Sequence, residues 1–209
     1  MLRSRNLDVV VYAVDDDAAT RDSLELLLST VGLRMIGFAS PLDFLDGFSA
    51  DRPSCVILDL RLPELNGIET LARLRSRSNT VPVMFLTGHG DLAAVVRAMK
   101  LGAVDFFEKP VNSELLIESV QHWIDYDIKA HDALHKRQKV LARLAKLSKR
   151  QREVLDCVLD GMSNKEIARH LGVSPKAVEL YRASVMQKME ARNVVDLVVD
   201  VVSSLRPAG

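Results

Sequence analysis

The sequence predicts an α/β domain with a doubly wound parallel sheet, joined by a long helix to a smaller all-α domain. Three observations predict it. Short β-branched or apolar runs alternate with segments of helical period through residues 1 to 122. A helical pattern then runs without glycine or proline from about Asn112 to Gly161. After it only helical segments with turn punctuation follow. The expected organisation is a sheet domain over residues 1 to 122, a helical linker over 123 to 146, and a helical domain over 147 to 209.

Five runs read as strands: Val9 to Val14, Leu33 to Phe38, Cys55 to Leu58, Val81 to Leu86 and Val104 to Phe107. Between them lie helical patterns over Ala18 to Val31, Ser40 to Phe48, Gly67 to Arg75 and Leu92 to Leu101. Ser40 is placed as an N-cap and Pro41 as the first helical residue. Strict alternation of strand and helix implies a parallel sheet covered on both faces. The fifth helix is expected from Asn112 or Ser113 to about Lys146. Within it, Ile117, Ile124, Leu134 and Leu141 lie near a seven-residue seam that His131 and Gln138 interrupt. That pattern suits a weak coiled coil and a solvated basic helix equally. Four helical segments follow: Ser148 to Leu159, Ser163 to Leu171, Pro175 to Met189 and Val194 to Leu205.

Charge supports the division. The 209 residues hold 28 basic and 28 acidic side chains, but residues 1 to 122 carry a net charge of minus 5 and the rest plus 5. The excess is local: residues 129 to 152 contain nine Lys or Arg and one acid, Asp132. A basic half beside an acidic one suggests different partners, nucleic acid for the basic half. With no run of roughly 18 apolar residues and no apolar stretch in Met1 to Asp8, neither a membrane span nor a secretory signal is expected, and the cytoplasm is the expected location. Cys55 and Cys157 have no neighbour that would make a zinc or redox motif, and are read as reduced core residues.

The ends of the predicted strands carry the chemistry. Asp15 and Asp16 follow the first strand and Asp59 follows the third. In a sheet of order 2-1-3-4-5 these strands are neighbours, and ligands bind beyond their carboxyl ends. Converging carboxylates raise one another's pKa unless a cation is present, and Mg²⁺ suits oxygen ligands. Asp17 is assigned to the first helical turn. Thr87 and Lys109, the latter followed by Pro110, close the same edge. A carboxylate nucleophile, a metal, a hydroxyl and an ammonium together suit phosphoryl transfer.

At the other end, residues 162 to 189 read as helix, turn, helix. Leu171, Gly172 and Val173 make the turn, and Ser174 with Pro175 opens the second helix. Helical spacing puts Val178, Val185 and Met189 on one face and Lys176, Leu180, Ala183 and Gln187 on the other. From composition alone, a groove-reading helix and a small structural bundle remain equal alternatives.

The strings VDDD, VILDLRLPELNGIE, TGHGD and AMKLGAVDFFEKP resemble the receiver domain of two-component response regulators, over about the first 122 residues. The stretch LSKRQREVLDCVLDGMSNKEIARHLGVSPKAVELYRASVMQKM resembles the LuxR-type DNA-binding domain of the NarL and FixJ families, and EKP with AVELYRASVMQKM is most similar to FixJ. The resemblance implies a flavodoxin/CheY-like sheet of order 2-1-3-4-5. It makes Asp59 the phosphoacceptor, with Asp15, Asp16, Asp59 and the backbone carbonyl of Arg61 holding Mg²⁺. Thr87 and Lys109 would engage the phosphoryl group and Phe106 would be the aromatic switch, as Phe without a hydroxyl. Pro63 and Gly67 match the turn after the phosphoacceptor, where glycine would allow an unusual backbone geometry. In the second domain it makes Pro175 to Met189 the recognition helix. Glu179, Leu180 and Ala183 would face bases, with Ser174 at the helix start and Lys165, Lys176, Arg182 and Lys188 near phosphates or flanking them. Three residues depart from the usual pattern. Gln151 stands where Glu is usual, which is expected to weaken an internal salt bridge, and Ala177 and Tyr181 replace Thr and His.

The implied function is a transcriptional response regulator. A histidine kinase phosphorylates Asp59, and the protein then dimerises through Leu92 to Phe107 and Val194 to Val202 and binds promoter DNA. RNA polymerase is a further expected partner and the membrane is not. Beyond slow self-phosphorylation and autodephosphorylation no enzyme activity is expected. A phosphatase is disfavoured because Leu60 and Arg61 follow Asp59, so the general acid such enzymes carry two residues on is absent. A constitutive DNA-binding regulator with a structural acidic pocket is the alternative.

Overall fold

A computed structural model of the chain describes residues 9–77, 80–88 and 92–205. The Met1 to Asp8 stretch and His89 to Asp91 of the TGHGD string lie outside them. The chain divides into two compact units, Met1–His131 and Asp132–Gly209.

In the first unit the order is β1 (Val10–Val14), α1 (Ala18–Ser29), β2 (Arg34–Phe38), α2 (Pro41–Gly47), β3 (Ser54–Leu58), α3 (Gly67–Ser76), β4 (Val83–Thr87), α4 (Leu92–Lys100), β5 (Asp105–Glu108) and the start of α5 (Ser113–Ala145). The strands pair in parallel in the order β2-β1-β3-β4-β5. Because side chains alternate along a strand, each central strand feeds two cores. Val10, Tyr12, Val14, Val56, Leu58, Val83 and Phe85 pack with α2, α3 and α4. Val11, Ala13, Cys55, Ile57, Met84 and Leu86 pack with Leu24 and Leu28 of α1 and Leu116, Val120 and Ile124 of α5. Both faces of the central strands β1, β3 and β4 are therefore dry, and these strands are near-continuous apolar runs.

Local chemistry sets the element limits. β4 begins at Val83, two residues later than the apolar run suggests, because Pro82 has no N–H for the ladder; its carbonyl still accepts from Val56 N at 2.9 Å. β5 runs from Asp105 to Glu108, one residue further along the chain than expected. Asp17 is the N-cap of α1, accepting from Ala19 N, rather than a first-turn residue.

The second unit contains the end of α5 with α6 (Lys149–Leu159), α7 (Asn164–Leu171), α8 (Pro175–Met189) and α9 (Val194–Leu205). Ser148 and Ser163 form capping boxes with Gln151 and Glu166. Gly172, at φ 66°, ends α7 in the left-handed region that glycine occupies without penalty. Val140 and Leu144 of α5 are buried with Val154, Leu155, Ile167, Val178 and Leu197.

This packing corrects the reading of the 123 to 146 linker. Ile124 is consumed by the core of the first unit and Leu144 by the second core, while Leu134 and Leu141 stay exposed. The seven-residue seam therefore does not exist as one stripe. Nor is α5 simply a solvated spacer, since its last part, from Asp132 to Ala145, belongs to the second unit.

Candidate functional site

The carboxyl edge of the sheet collects the acidic residues. Asp15 and Asp59 each stand one residue past a strand, and the ladder holds them there: Asp15 N donates to Phe38 O at 3.1 Å and Asp59 N to Val14 O at 2.9 Å. Asp15 and Asp59 are buried and Asp16 is exposed. One oxygen from each of the three lies within 4.8 Å of the others. Each buried carboxylate is also held by a turn, Asp17 N donating to Asp15 Oδ1 and Arg61 N to Asp59 Oδ1, both at 3.0 Å. Arg21 Nη1 donates to Asp15 O at 2.6 Å, a contact nothing in the sequence spacing marks.

Lys109 lies between the carboxylates, its Nζ 2.6 Å from Asp15 Oδ2 and 2.8 Å from Asp59 Oδ2. Its backbone N donates to Thr87 O at 2.8 Å, and its peptide to Pro110 is cis. Burial pushes the Asp15 pKa up, and the Lys109 hydrogen bond opposes it only in part. Burial works against the Lys109 charge as well, but its bonds to Asp15 and Asp59 outweigh this and hold its pKa above the usual value. Burial sets the direction at Asp15, and the two carboxylates that Lys109 serves set the direction at Lys109. Three carboxylates meet one ammonium here, so the site has more acidic groups than Lys109 balances. A hard divalent ion bound by oxygen is what such a donor set suits, so these residues fit Mg²⁺.

Thr87 ends β4 and is buried. Phe106 sits on β5 opposite Phe85, with ring centroids 6.2 Å apart, half-buried against the α2–α4 core. In the turn after Asp59, the left-handed conformation falls on Glu64, at φ 67°, and not on Gly67. Gly67 is required for a different reason. A Cβ there would stand 2.3 Å from Asp59 O, 2.8 Å from Phe85 Cε1 and 3.0 Å from Leu60 Cα. The small residue lets α3 press against the backbone of the predicted phosphoacceptor, a close approach that sequence cannot display.

A second constellation lies in the helical unit. Ser174 caps α8 by accepting from Ala177 N at 3.2 Å, and Pro175 occupies the first turn. Val178, Val185 and Met189 are buried, as the spacing predicts, and Lys176, Glu179, Leu180 and Ala183 are exposed, as is Lys165 on α7. Two of the expected phosphate-side cations are engaged internally. Arg182 Nη1 donates to Asn164 Oδ1 at 3.0 Å, tying α8 to α7. Lys188 Nζ donates to Lys146 O at 3.0 Å and Gln151 Oε1 at 2.8 Å, a bracing position that the sequence spacing does not mark. Gln151 does not lose its role by lacking a charge: its Nε2 donates to Ser184 Oγ at 2.8 Å while Oε1 accepts from Lys188 and from Ser148 N. Beyond α8, α9 buries Leu197 and Val201 and leaves Val195 (70%) and Val199 (55%) exposed. On α4, Leu92, Val96 and Met99 are exposed.

Among the described residues, no helix is long and apolar enough to cross a membrane. Residues 11–121 match the family described as response regulator receiver domain, and residues 145–201 match bacterial regulatory proteins, luxR family. The transcriptional regulatory protein FixJ of Bradyrhizobium diazoefficiens is 42% identical over 188 residues, covering 90% of this chain and 92% of that protein. FixJ of Rhizobium meliloti is 38% identical, covering 91% and 94%. Among solved structures, the response regulator StyR superposes with a TM-score of 0.86 at 31% identity, covering 93% of this chain and 98% of that one. Full-length FixJ from B. japonicum gives 0.56 at 40% identity, covering 95% and 98%.

Proposed function

Because this chain belongs to the FixJ-like response regulators, two-component transcription regulators that join a receiver to a LuxR-type DNA-binding domain, we propose that Asp59 is its phosphoacceptor and the acidic edge its switch. The family works with a histidine kinase and with DNA. The observation that carries the residue assignment is the convergence of Asp15, Asp16, Asp59 and Lys109 at one end of the sheet.

An Asp59 carboxylate oxygen attacks phosphorus of the donor, a P–O bond forms, and the bond to the donor breaks, leaving an acyl phosphate. Lys109 moves from balancing two carboxylates to balancing phosphoryl oxygens, and the buried Thr87 hydroxyl is the neutral donor on the same edge. Asp15, Asp16, Asp59 and the Arg61 carbonyl would hold Mg²⁺, which supplies charge neutralisation when bound. Thr87 moving inward draws Phe106 with it, and the surface from Leu92 to Phe107 then pairs two copies, assisted by Val194 to Val202. In the second domain Lys165 and Lys176 meet phosphates and Glu179, Leu180 and Ala183 face bases, with Ser174, Arg182 and Lys188 fixing the helix that presents them. Promoter DNA and RNA polymerase make the cytoplasm the working location. Slow transfer from small donors and slow loss of the phosphoryl group are the only catalysis.

Intact mass after incubation with acetyl phosphate and Mg²⁺ tests this. One added phosphoryl group is expected, absent in Asp59→Asn and after chelation; no addition to the wild type refutes the assignment. A beryllofluoride-treated sample that stays monomeric at DNA-binding concentrations refutes the dimer step. Equal DNA affinity with and without phosphorylation establishes constitutive binding instead.

A further inference from the structure

The outer strip of α8 has an unusual feature for a surface that meets a polyanion. Lys176, Glu179, Leu180, Ala183 and Gln187 are all exposed, and at 100° per residue they fall within one narrow arc. Glu179 is a carboxylate on that strip whose side chain has no ion pair or hydrogen bond among the described residues. Most other acids of this unit are engaged, Asp160 excepted: Glu153 with Arg150, Glu166 with the Ser163 cap, Glu190 with Arg143, Asp196 with Arg192, Asp200 with Lys136. Beside Glu179, Leu180 is 66% exposed.

A free carboxylate approaching a duplex is repelled by the phosphates. It favours binding only where it accepts a hydrogen bond from a base. In the major groove the amino donors are N4 of cytosine and N6 of adenine. A carboxylate has acceptors only. Before adenine its second oxygen faces the N7 acceptor, whereas cytosine has no acceptor of its own on that edge. Leu180 and Ala183 present hydrocarbon to the adjoining step, and the only apolar group a base offers there is the thymine methyl.

Building on the DNA-binding reading above, we propose that Glu179 is a specificity-determining residue that selects a cytosine by accepting from its N4 amino group, next to a thymine whose methyl packs on Leu180 and Ala183. Lys176, exposed one turn before, balances the Glu179 charge against the backbone. The residue thus sacrifices general affinity and gains discrimination.

The test is selection of sites from a random duplex pool by the full chain, with and without acetyl phosphate and Mg²⁺, followed by titration of the selected site. The wild type is expected to enrich a cytosine that Glu179→Gln exchanges for adenine, because the amide both donates and accepts; the C-to-A preference should reverse by about tenfold or more. Replacing the neighbouring thymine by uracil should weaken wild type by about threefold and leave Leu180→Ala unaffected. Both side chains are exposed, and unchanged thermal melts verify folding. An unaltered base preference at every position in Glu179→Gln overturns the inference while leaving the DNA-binding reading intact. Failure of the wild type to retard or enrich any duplex overturns that reading and this inference with it.

Discussion

Replacing Gly67 by alanine tests how closely the switch depends on α3 packing. The added Cβ meets Asp59 O at 2.3 Å, where ordinary contact begins near 3.4 Å, so the first turn of α3 must withdraw by about 1 Å. It cannot slide sideways, because Phe85 Cε1 at 2.8 Å and Leu60 Cα at 3.0 Å close the remaining directions. Two of the three obstacles are backbone atoms, which do not rotate away. Overpacking of this kind costs about 1–3 kcal/mol, a sizeable part of the roughly 5–15 kcal/mol available to a domain. The backbone that the added Cβ presses on is that of Asp59 and Leu60, so the rate of phosphoryl uptake should fall with the stability. Urea unfolding followed by circular dichroism and the time course of intact mass with acetyl phosphate measure the two effects. Gly37→Ala is the control, since its Cβ meets only flexible side chains, at 3.4 Å from Arg21 Cδ and 3.6 Å from Met35 Cε; it should stay within about 0.5 kcal/mol of wild type. A Gly67→Ala protein as stable and as readily phosphorylated as Gly37→Ala refutes the reasoning.

Asp127, buried on α5, accepts from Ser54 N at 2.9 Å. Asp127→Ala leaves that N–H unpaired and should cost about 1–3 kcal/mol in urea melts, while Asp127→Asn keeps an acceptor and should cost less. Burial raises the Asp127 pKa above 3.8, with the Ser54 bond and His131 opposing, so the folded state holds its proton over a pH range where the unfolded chain has released it. Wild-type stability should therefore decline relative to Asp127→Asn as pH rises from 3.8 through the raised value, and a difference independent of pH would contradict this. Glu64→Gly removes a left-handed non-glycine residue and should change stability by no more than about 1 kcal/mol, in the stabilising direction, because released strain of about 1–2 kcal/mol is partly offset by glycine's entropy. Leu144→Ala should destabilise the second unit by about 2–5 kcal/mol, whereas Leu141→Ala, 41% exposed, should have little effect; the opposite order in thermal melts would restore the coiled-coil seam. Mg²⁺ should raise the unfolding midpoint of wild type and not of a protein carrying Asp15→Asn and Asp16→Asn.

The acidic edge was legible because β-sheet geometry converts sequence position into location. A polar residue just after an apolar run in a parallel sheet must lie at the carboxyl edge, so Asp15, Asp59, Thr87 and Lys109 were identifiable from where the runs stop. The outer strip of α8 was legible for a related reason, since a Ser-Pro start and a 3.6-residue period define both its register and its buried face. Periodicity says which residues share a face, but not what covers that face. Ile124, Leu134 and Leu141 illustrate the gap: the first is claimed by the sheet, and the other two are left in water by a core that takes Val140 and Leu144 instead. Contacts between distant positions were equally invisible, among them Asp127 on Ser54 N, Lys188 on Gln151 and the Lys146 carbonyl, and the Gly67 backbone against Asp59. The sequence by itself determined the order of elements and the chemistry at their ends, because local sterics and hydrophobic period act over a few residues. Only the tertiary structure decided which faces pair and which cations turn inward, because those depend on close packing between segments that have no neighbours in sequence.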